Sequence, residues 1–411
     1  MDFWIQEFVS NYVVGCTFTP AVTFAPMIAN LILIGLLLVV AIQVAVLGGV
    51  YFKLFSLSKD VRFEPEFDDN EACATLFVSV IICAKNEAEN LKSFLPKILA
   101  QNYRYLSEAI AFEVVVVNDA SDDATGAVLN ELATKNRHLK IVTIDAAERR
   151  GFPGKKFALS RGIAIASGNW IVCTDADCEP ASEMWLHYMV APFRKDKRII
   201  AGFGGYKRTS GWLNIFIRYE TMHTFFSLYA FAKAGLPYMA VGRNMAFTKE
   251  DFAKAEANPT WEKLPSGDDD LLVSLCATKQ NFDVVAYPES FTWSDAKSSL
   301  KEYVAQKQRH VSTGKYYPKK IKALLGLFAL SIALWWPLLL LFCLYSYPNN
   351  LLIFVGFLLP IMFYVGLMQF GAKQLRERTN LLGWLGFLLC WTIYNVVLAP
   401  YILWKNKMHW K

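Results

Sequence analysis

The chain has 411 residues, of which 54% are hydrophobic and only 19% are charged. This balance is too apolar for a purely soluble protein and too charged for a chain that lies wholly inside a membrane. The formal net charge is +6, and no dense Lys/Arg block with interleaved aromatic residues is present, which argues against nucleic acid as a partner. The eight cysteines form no CxxC pair, so neither a zinc site nor a disulfide framework is indicated.

The first apolar segment, residues 27–51, carries no charge and is long enough to cross a bilayer. No Lys or Arg precedes this segment, whereas three basic residues follow it, Lys53, Lys59 and Arg62. A cleaved signal peptide requires the opposite bias. We therefore expect an uncleaved anchor, with the chain from residue 52 onward in the cytoplasm.

Three more apolar segments follow residue 320, at 323–345, 350–370 and 381–404. If all of them cross the membrane, the basic tail after Trp404 lies outside the cell, against the positive-inside rule. Either the last segment, which contains Pro400, is re-entrant or interfacial, or the charge rule fails there. The sequence leaves both alternatives open.

Between these apolar ends, residues 77–290 alternate short β-branched runs with helix-like stretches. The runs are FVSVIIC (77–83), EVVVVN (113–118), LKIVTI (139–144) and NWIVCT (169–174). Continuous apolar strands separated by helical patterns predict a parallel sheet, and ligands bind beyond the carboxyl ends of such strands. Asp175 and Asp177 follow the fourth run and project to one side, which suits Mg²⁺ or Mn²⁺, although an isolated pair of this kind is also typical of a solvated loop.

Four motifs occur in order between residues 79 and 177, SVIICAKNEAENL, VVVVNDASDDAT, GKKFALSRGIAIASG and IVCTDAD. This ordered set resembles the membrane-bound family 2 glycosyltransferases. The resemblance implies an α/β fold of the GT-A type, a Rossmann-like nucleotide-diphospho-sugar transferase domain inserted between transmembrane helices. The implied domains are an N-terminal segment and anchor (1–52), a cytoplasmic catalytic domain with an interfacial helix (53–320), and C-terminal transmembrane or re-entrant helices (321–411).

The resemblance also implies a binding site for a nucleotide-sugar donor. Ala84 and Glu87 match positions that line the nucleoside pocket. Asp119 matches the residue that reads the edge of the base, which favours uracil. The usual Asp-Asp-Gly-Ser of the family is Asn-Asp-Ala-Ser here, so only Asp119 keeps this role.

Four further positions would hold the diphosphate and the metal. Lys155 or Lys156 is placed to meet the diphosphate, although each is equally typical of a solvated charge at a helix start. Asp175 matches the residue near the ribose and the donor sugar, and it shares the metal with Asp177. Asp177 matches the ligand of Mg²⁺ or Mn²⁺, which bridges the phosphates in this family.

Three adjacent carboxylates, Asp268, Asp269 and Asp270, precede an apolar helical run. In the family an acidic pair at this place supplies the general base, and the two possible registers put the base at Asp269 or at Asp268. We prefer Asp269, while a helix-capping cluster is the competing interpretation. Upstream, the GRNMAF segment resembles the strand beside the base, which places Asn244 on the acceptor side.

The segment QKQRH resembles the QxxRW motif of membrane-bound members. Gln306 and Arg309 match, and His310 stands in place of the Trp, which weakens any role in stacking against the acceptor. Arg309 would neutralise charge on the leaving nucleotide diphosphate. Residues 300–317 also alternate apolar and basic residues as an interfacial helix does.

The resemblance thus implies inverting transfer from a nucleotide sugar, UDP-linked by the Asp119 match, to a hydroxyl of a lipid or lipid-linked glycan. It implies an integral protein of a bacterial inner (cell) membrane and gives no oligomeric state. Two other enzymes remain open, a polyprenyl-phosphate sugar synthase and a processive polysaccharide synthase. The non-enzyme alternative is a membrane-tethered nucleotide-sugar sensor, which only His310 favours.

Overall fold

The computed structural model describes residues 20–62, 76–105, 109–148, 154–262, 267–311, 313–345 and 351–398, without the side chains of 20–26, 194, 262, 309–311 and 398. The chain divides into two compact units. One is formed by Met1–Ala45 and Leu327–Phe363, and the other by Val46–Gly326 and Tyr364–Lys411. The first unit contains most of three apolar helices, and the second contains the α/β domain.

The α-helices are numbered in chain order. They are α1 (Pro20–Gly49), α2 (Leu57–Asp60), α3 (Ala88–Leu99), α4 (Thr125–Lys135), α5 (Lys155–Ile165), α6 (Trp185–Val190), α7 (Trp212–Lys233), α8 (Lys249–Glu256), α9 (Pro259–Glu262), α10 (Asp270–Cys276), α11 (Leu300–Val311), α12 (Lys319–Tyr345), α13 (Leu351–Gln374) and α14 (Leu381–Ile393). Short 3₁₀ helices lie at Tyr51–Ser56, Ala191–Lys195, Pro288–Ser290 and Gly314–Tyr316, and a π-helical turn lies at Tyr394–Leu398.

The strands form two sheets. They are β1 (Val78–Ala84), β2 (Phe112–Asp119), β3 (Leu139–Ile144), β4 (Trp170–Asp175), β5 (Glu179–Pro180), β6 (Ile199–Gly202), β7 (Gly204–Tyr206), β8 (Met245–Thr248), β9 (Phe282–Val285) and β10 (Thr292–Ser294). The main sheet has the order β3-β2-β1-β4-β8-β6-β9, and the small sheet has the order β5-β10-β7.

The four predicted strands are present and mutually parallel, each within one residue of its predicted limits. The sheet as a whole is mixed, because β8 lies antiparallel between β4 and β6. The strands β6 and β9 run in the same direction as the first four, so the prediction of a parallel sheet is right for six of the seven strands and wrong for β8. The sequences of β6 and β8 are too short to reveal this pairing.

The central strands have continuous apolar sequences because both of their faces are covered. Every residue of β1 and β2 is buried. Helix α5 packs closely on these strands at Gly162, where a Cβ atom would come within 2.8 Å of the Val117 side chain and 2.9 Å of Ile81. This close packing fixes the start of α5, with Lys155, beside the carboxyl ends of β1 and β4.

Within the part of the chain that the structure describes, three helical segments are long and apolar enough to cross a membrane, Met27–Asp60, Lys319–Tyr345 and Leu351–Gln374. They coincide with the first three predicted segments. The fourth predicted segment contains a shorter apolar helix, Leu381–Val397, and its end lies outside the described residues. Within the first unit, α1 packs against α12 and α13 through a cluster of Ile32, Leu36, Phe342 and Phe357.

Candidate active site

A cavity of about 280 Å³ lies at the carboxyl ends of β1 and β4. The register of these strands sets Cys83 beside Asp175, so the segments that follow them run side by side. The cavity wall brings together predicted residues from five separate segments of the chain. These are Glu87, Lys155, Asp175, Asp177, Asp268, Asp269 and Gln306.

The loops after β1 and β2 are tied to each other beside this cavity. Asn86, with a left-handed backbone (φ 56°), donates its N–H to Ser121 Oγ at 3.0 Å and accepts from the N–H of Asp122 at 3.0 Å. The N–H of Glu87 donates to Thr125 Oγ1 at 3.0 Å. The two loops therefore form one rigid edge on the side where the nucleoside is expected.

Among the predicted donor residues whose side chains the structure describes, three do not line the cavity. Ala84 and Asp119 are fully buried at the ends of β1 and β2, so their contact with a nucleoside stays a prediction. Lys156 is also buried, its Nζ donates to the Trp261 carbonyl at 2.8 Å, and it lies 4.5 Å above the Trp261 ring. Of the two lysines, only Lys155 is placed to meet a diphosphate in the cavity.

The side chains of Asp175, Asp177 and Cys178 converge, with their ligand atoms all within 4.8 Å of one another. The Cys178 thiol lies 3.6 Å from Asp177 Oδ1. Burial, and then the charges of Asp175 and Glu87, raise the pKa of Asp177 above its usual range. Two hard oxygen donors that repel each other in a partly buried position fit a divalent cation.

Lys155 connects this acidic pair with the acidic triplet. Its Nζ is ion-paired with Asp175 and lies 4.0 Å from Asp268 Oδ2. Burial alone would lower the pKa of Lys155, but the carboxylates of Asp175 and Asp268 raise it well above its usual range. The side chain is therefore a fixed positive charge in the wall of the cavity.

The triplet begins α10, and Asp269 is the N-cap of this helix. Its Oδ1 accepts from the N–H of Asp270 at 2.8 Å, and its Oδ2 accepts from the N–H of Gly242 at 2.9 Å. Burial and the charge of Asp268 raise the pKa of Asp269 to about 6. Asp269 therefore caps the helix, as the competing interpretation expected. Its raised pKa is also suited to accepting a proton, so the two interpretations are compatible.

The pKa of Asp269 predicts a pH profile. Only the ionised carboxylate can accept a proton, so we expect kcat to fall about tenfold for each pH unit below about 6 and to level off above it. The measurement is kcat against pH, with folding checked at each pH by circular dichroism. A flat profile between pH 7 and pH 5 in folded protein would show that Asp269 is not the base.

The structure places Arg243 in the cavity wall, although the sequence analysis assigned this residue no role. Its backbone carbonyl accepts from Thr174 Oγ1 at 3.0 Å and from Thr292 Oγ1 at 3.2 Å. Its guanidinium lies 4.2 Å above the Tyr206 ring, in the cavity wall and close enough to Asp177 to stabilise that carboxylate's charge. The available signal was the sequence GRN, where the family has a small residue between Gly and Asn.

Asn244 lies behind the cavity wall and is fully buried. Its Nδ2 donates to the carbonyls of Phe203 and Ser290, both at 2.8 Å, and its Oδ1 accepts from Trp185 Nε1 at 3.0 Å. The side chain therefore joins three segments of the scaffold. This geometry favours a positioning role over the acceptor contact that the sequence suggested.

Replacing Asn244 by Ala leaves three buried polar groups without their partner. We expect the free energy of unfolding to fall by about 3 kcal/mol, measured as a lower melting temperature in detergent. Asn102→Ala, at an exposed position, is the control and should melt as the wild type does. If the melting temperature is unchanged and the KM for the acceptor is raised, Asn244 contacts the acceptor, as the sequence suggested, and the positioning role is wrong.

Helix α11 carries the QxxRW-like motif along the cavity. Gln306 Nε2 donates to Tyr206 OH at 3.1 Å. This hydrogen bond holds the Tyr206 ring in place beneath the Arg243 guanidinium. Tyr303 OH and Lys307 Nζ both bind the carboxylate of Glu220 on α7, at 2.9 and 2.6 Å. Arg309 and His310 lie on α11, but their side chains are outside the described residues.

Helix α7 forms one wall of the cavity. One face of it lines the cavity, with Ile217, Glu220, Thr221, Thr224 and Phe225. The other face packs on the C-terminal helices: His223 Nε2 lies 2.6 Å from Tyr364 OH, and the Tyr219 ring lies 4.7 Å from that of Trp384. Within the second unit, this partly apolar wall is therefore also the one that adjoins the apolar helices.

Comparison with known proteins identifies the family. Residues 79–255 match the model of Glycosyl transferase family 2, and residues 170–369 match that of Glycosyl transferase family group 2. The chain belongs to the family 2 glycosyltransferases. The predicted family, the GT-A fold class and the assignment as a glycosyltransferase are thereby confirmed.

Two relatives illustrate what this glycosyltransferase is similar to, and one of them is named as a polysaccharide synthase. The probable glycosyltransferase YdaM of Bacillus subtilis is 26% identical over 254 residues, which cover 60% of this chain and 57% of YdaM. The poly-beta-1,6-N-acetyl-D-glucosamine synthase of Staphylococcus aureus is 26% identical over 163 residues, covering 39% of this chain and 35% of the synthase. The chain thus spans less than two thirds of the length of these relatives.

A solved structure with the same fold is the mannosyltransferase PcManGT from Pyrobaculum calidifontis, determined in complex with GDP-Man and Mn²⁺. The TM-score is 0.51 at 19% sequence identity, and the likeness covers 88% of this chain and 99% of that chain. At this level of identity the likeness establishes a shared fold. It leaves the donor, the acceptor and the metal of this glycosyltransferase to be argued from its own residues.

Proposed function

We propose that this glycosyltransferase moves a sugar from a nucleotide-sugar donor, UDP-linked, to a hydroxyl of a lipid or lipid-linked glycan at a membrane, with inversion of the anomeric carbon. The observation that carries the proposal is the convergence of three functions in one cavity. The cavity holds an acidic pair suited to a divalent metal, a fixed cation at Lys155, and the Asp268–Asp269 pair.

In the proposed reaction Asp269 accepts the proton of the acceptor hydroxyl. The acceptor oxygen attacks the anomeric carbon, the bond to the diphosphate oxygen breaks, and the nucleotide diphosphate leaves with the electron pair. Lys155 and Arg243 stabilise the charge that builds on the leaving group. Mg²⁺ or Mn²⁺ held by Asp175 and Asp177 would supply further positive charge to the diphosphate.

The α7 wall supports a lipid acceptor. Ile217 and Phe225 give this side of the cavity an apolar surface, and the opposite face of α7 packs on the C-terminal apolar helices. An amphiphilic acceptor would reach the base from this side. The processive alternative is supported by the name of the Staphylococcus aureus relative, and it predicts products of many lengths from one acceptor.

The test is nucleotide release from a panel of nucleotide sugars, in the presence and absence of lipid extract. We expect release from a UDP-sugar that depends on both the extract and a divalent cation. Product chains of many lengths would instead favour the processive synthase. Transfer to polyprenyl phosphate without dependence on Asp268 or Asp269 would favour the polyprenyl-phosphate synthase.

The proposed arrangement has residues 53–320 as the catalytic domain on the cytoplasmic face of a bacterial inner membrane, anchored by 1–52 and 321–411. Its support is the basic flank after the first apolar segment and the three helical segments long enough to cross. The shorter Leu381–Val397 helix fits a re-entrant or interfacial last segment, which would keep the basic tail inside.

A cysteine at Asn136 tests this orientation. We expect Asn136→Cys to resist a membrane-impermeant thiol reagent in intact cells and to react after lysis, because the loop would lie in the cytoplasm. Asn349→Cys, in the uncharged link at 346–349, should react in intact cells, and the parent chain gives the background from native thiols. Rapid labelling of Asn136→Cys in intact cells would reverse the orientation.

A further inference from the structure

The chain between α11 and α12 lies directly against the acidic triplet. This connector, residues 313–317, begins with Thr313, whose Oγ1 donates to Asp270 Oδ2 at 2.7 Å. Tyr317 OH donates to the same oxygen at 2.9 Å. Asp270 and Thr313 are 7% and 2% exposed, so these hydrogen bonds are shielded from water. The two ends of the connector are thus held at a single buried carboxylate.

The packing around the connector is as close as its hydrogen bonding. Gly267 has φ +91°, and a Cβ atom there would come within 2.6 Å of Thr313 Cγ2. The Tyr317 ring packs edge-on against Tyr238 with centroids 5.2 Å apart. Tyr238 OH in turn donates to Ser227 Oγ on α7 at 3.1 Å. The connector is therefore fixed to the triplet and, through Tyr238, to α7.

The same residue contacts the candidate base through its backbone. The N–H of Asp270 donates to Asp269 Oδ1 at 2.8 Å, while its side chain holds the connector. Thr313 also lines the cavity, and α12 begins only two residues after Tyr317. Any displacement of the connector from Asp270 would therefore disturb the start of α10, where Asp269 is held.

We propose that Asp270 is a positioning residue that clamps the connector, and through it the start of α12, to the element carrying the base. The inference rests on the proposed function for its effect on transfer. Asp270 does not take the acceptor proton itself, because one of its oxygens holds two hydroxyl groups and the other is shielded from solvent. Its role is to keep Asp269 and α11 in the arrangement in which the acceptor is deprotonated.

Two conservative variants test the clamp without removing the buried carboxyl group. Thr313→Val and Tyr317→Phe each delete one hydroxyl and keep the shape of the side chain. We expect each to lower kcat about tenfold while the donor KM stays within about twofold, because the donor site is not altered. Thr313→Ser, which keeps the hydroxyl, should restore kcat. Tyr316→Phe is the matched control, since the structure records no bond from the Tyr316 hydroxyl within the described residues.

Hydrogen exchange gives a second readout that needs no substrate. The amides of Tyr316 and Tyr317 bond to Thr313 and Gly314 carbonyls, and their exchange should quicken about tenfold in Thr313→Val but not in Tyr316→Phe. Unchanged exchange, or a kcat loss matched by an equal loss of donor affinity, would overturn the clamp. If the wild type transfers no sugar at all, the proposed function fails and exchange alone decides the clamp.

Discussion

Replacing Asp177 by Asn is expected to reduce sugar transfer by roughly 10³-fold or more. Asn keeps the shape of the side chain but removes the charge that would hold a divalent cation beside Asp175. The size of the effect follows from two partly buried carboxylates that repel each other unless a cation lies between them. The measurement is kcat/KM with saturating Mn²⁺ and, separately, with Mg²⁺.

A matched control separates the metal site from a general loss of negative charge. Asp196→Asn removes one carboxylate at an exposed position outside the cavity and should leave kcat/KM unchanged. Chelator should reproduce the loss in the wild type, and added metal should reverse it. Full turnover of chelator-treated wild type, or of Asp177→Asn, would mean that the acidic pair has another task.

Replacing Asp269 by Asn is expected to lower kcat by roughly 10²–10⁴-fold while donor binding survives. The substituted amide could still accept a hydrogen bond from a backbone N–H of Gly242 or Asp270 with its oxygen, but it could not take a proton. Donor affinity should persist, because Lys155, Asp175 and Asp177 are untouched. The measurement is single-turnover transfer together with a titration of the donor nucleotide.

Asp268→Asn is the internal comparison for this prediction. Asp268 Oδ2 lies 4.0 Å from Lys155 Nζ, whereas Asp269 accepts the N-cap hydrogen bond from the Asp270 N–H. We therefore expect the loss of Asp268 to weaken transfer less than the loss of Asp269. If Asp268→Asn is the more damaging change, the base is Asp268 and the register is one residue off. If neither change slows transfer, the acceptor is already an anion, as a polyprenyl phosphate is.

The part of the fold that could be predicted is the part where both strand faces are buried. Continuous β-branched runs predicted the limits of β1 to β4 to within one residue. The rule that ligands bind beyond the carboxyl ends of parallel strands identified Glu87, Asp175 and Asp177, which line the cavity. The antiparallel β8 escaped prediction because four residues, MAFT, carry too little periodicity to indicate a direction.

The choice between Lys155 and Lys156 shows why the site needed the structure. Adjacent residues on a helix point about 100° apart, and nothing in a Lys-Lys pair indicates which one faces the sheet edge. In the fold, Lys155 pairs with Asp175 whereas Lys156 is held at Trp261, more than a hundred residues away in sequence. The burial of Asn244 and the Asp270–Thr313 bond also depend on long-range packing of this kind.

The most direct test of the central claim is the product of the reaction at a membrane. Purified protein in lipid nanodiscs would be incubated with a UDP-sugar panel, Mn²⁺ and bacterial lipid extract, and the lipids analysed by mass spectrometry. We predict a lipid whose mass increases by one glycosyl residue, formed by the wild type and absent with Asp177→Asn and Asp269→Asn. Donor binding without any glycosylated product from any donor or lipid fraction would contradict the assignment of this cavity as a glycosyl-transfer site.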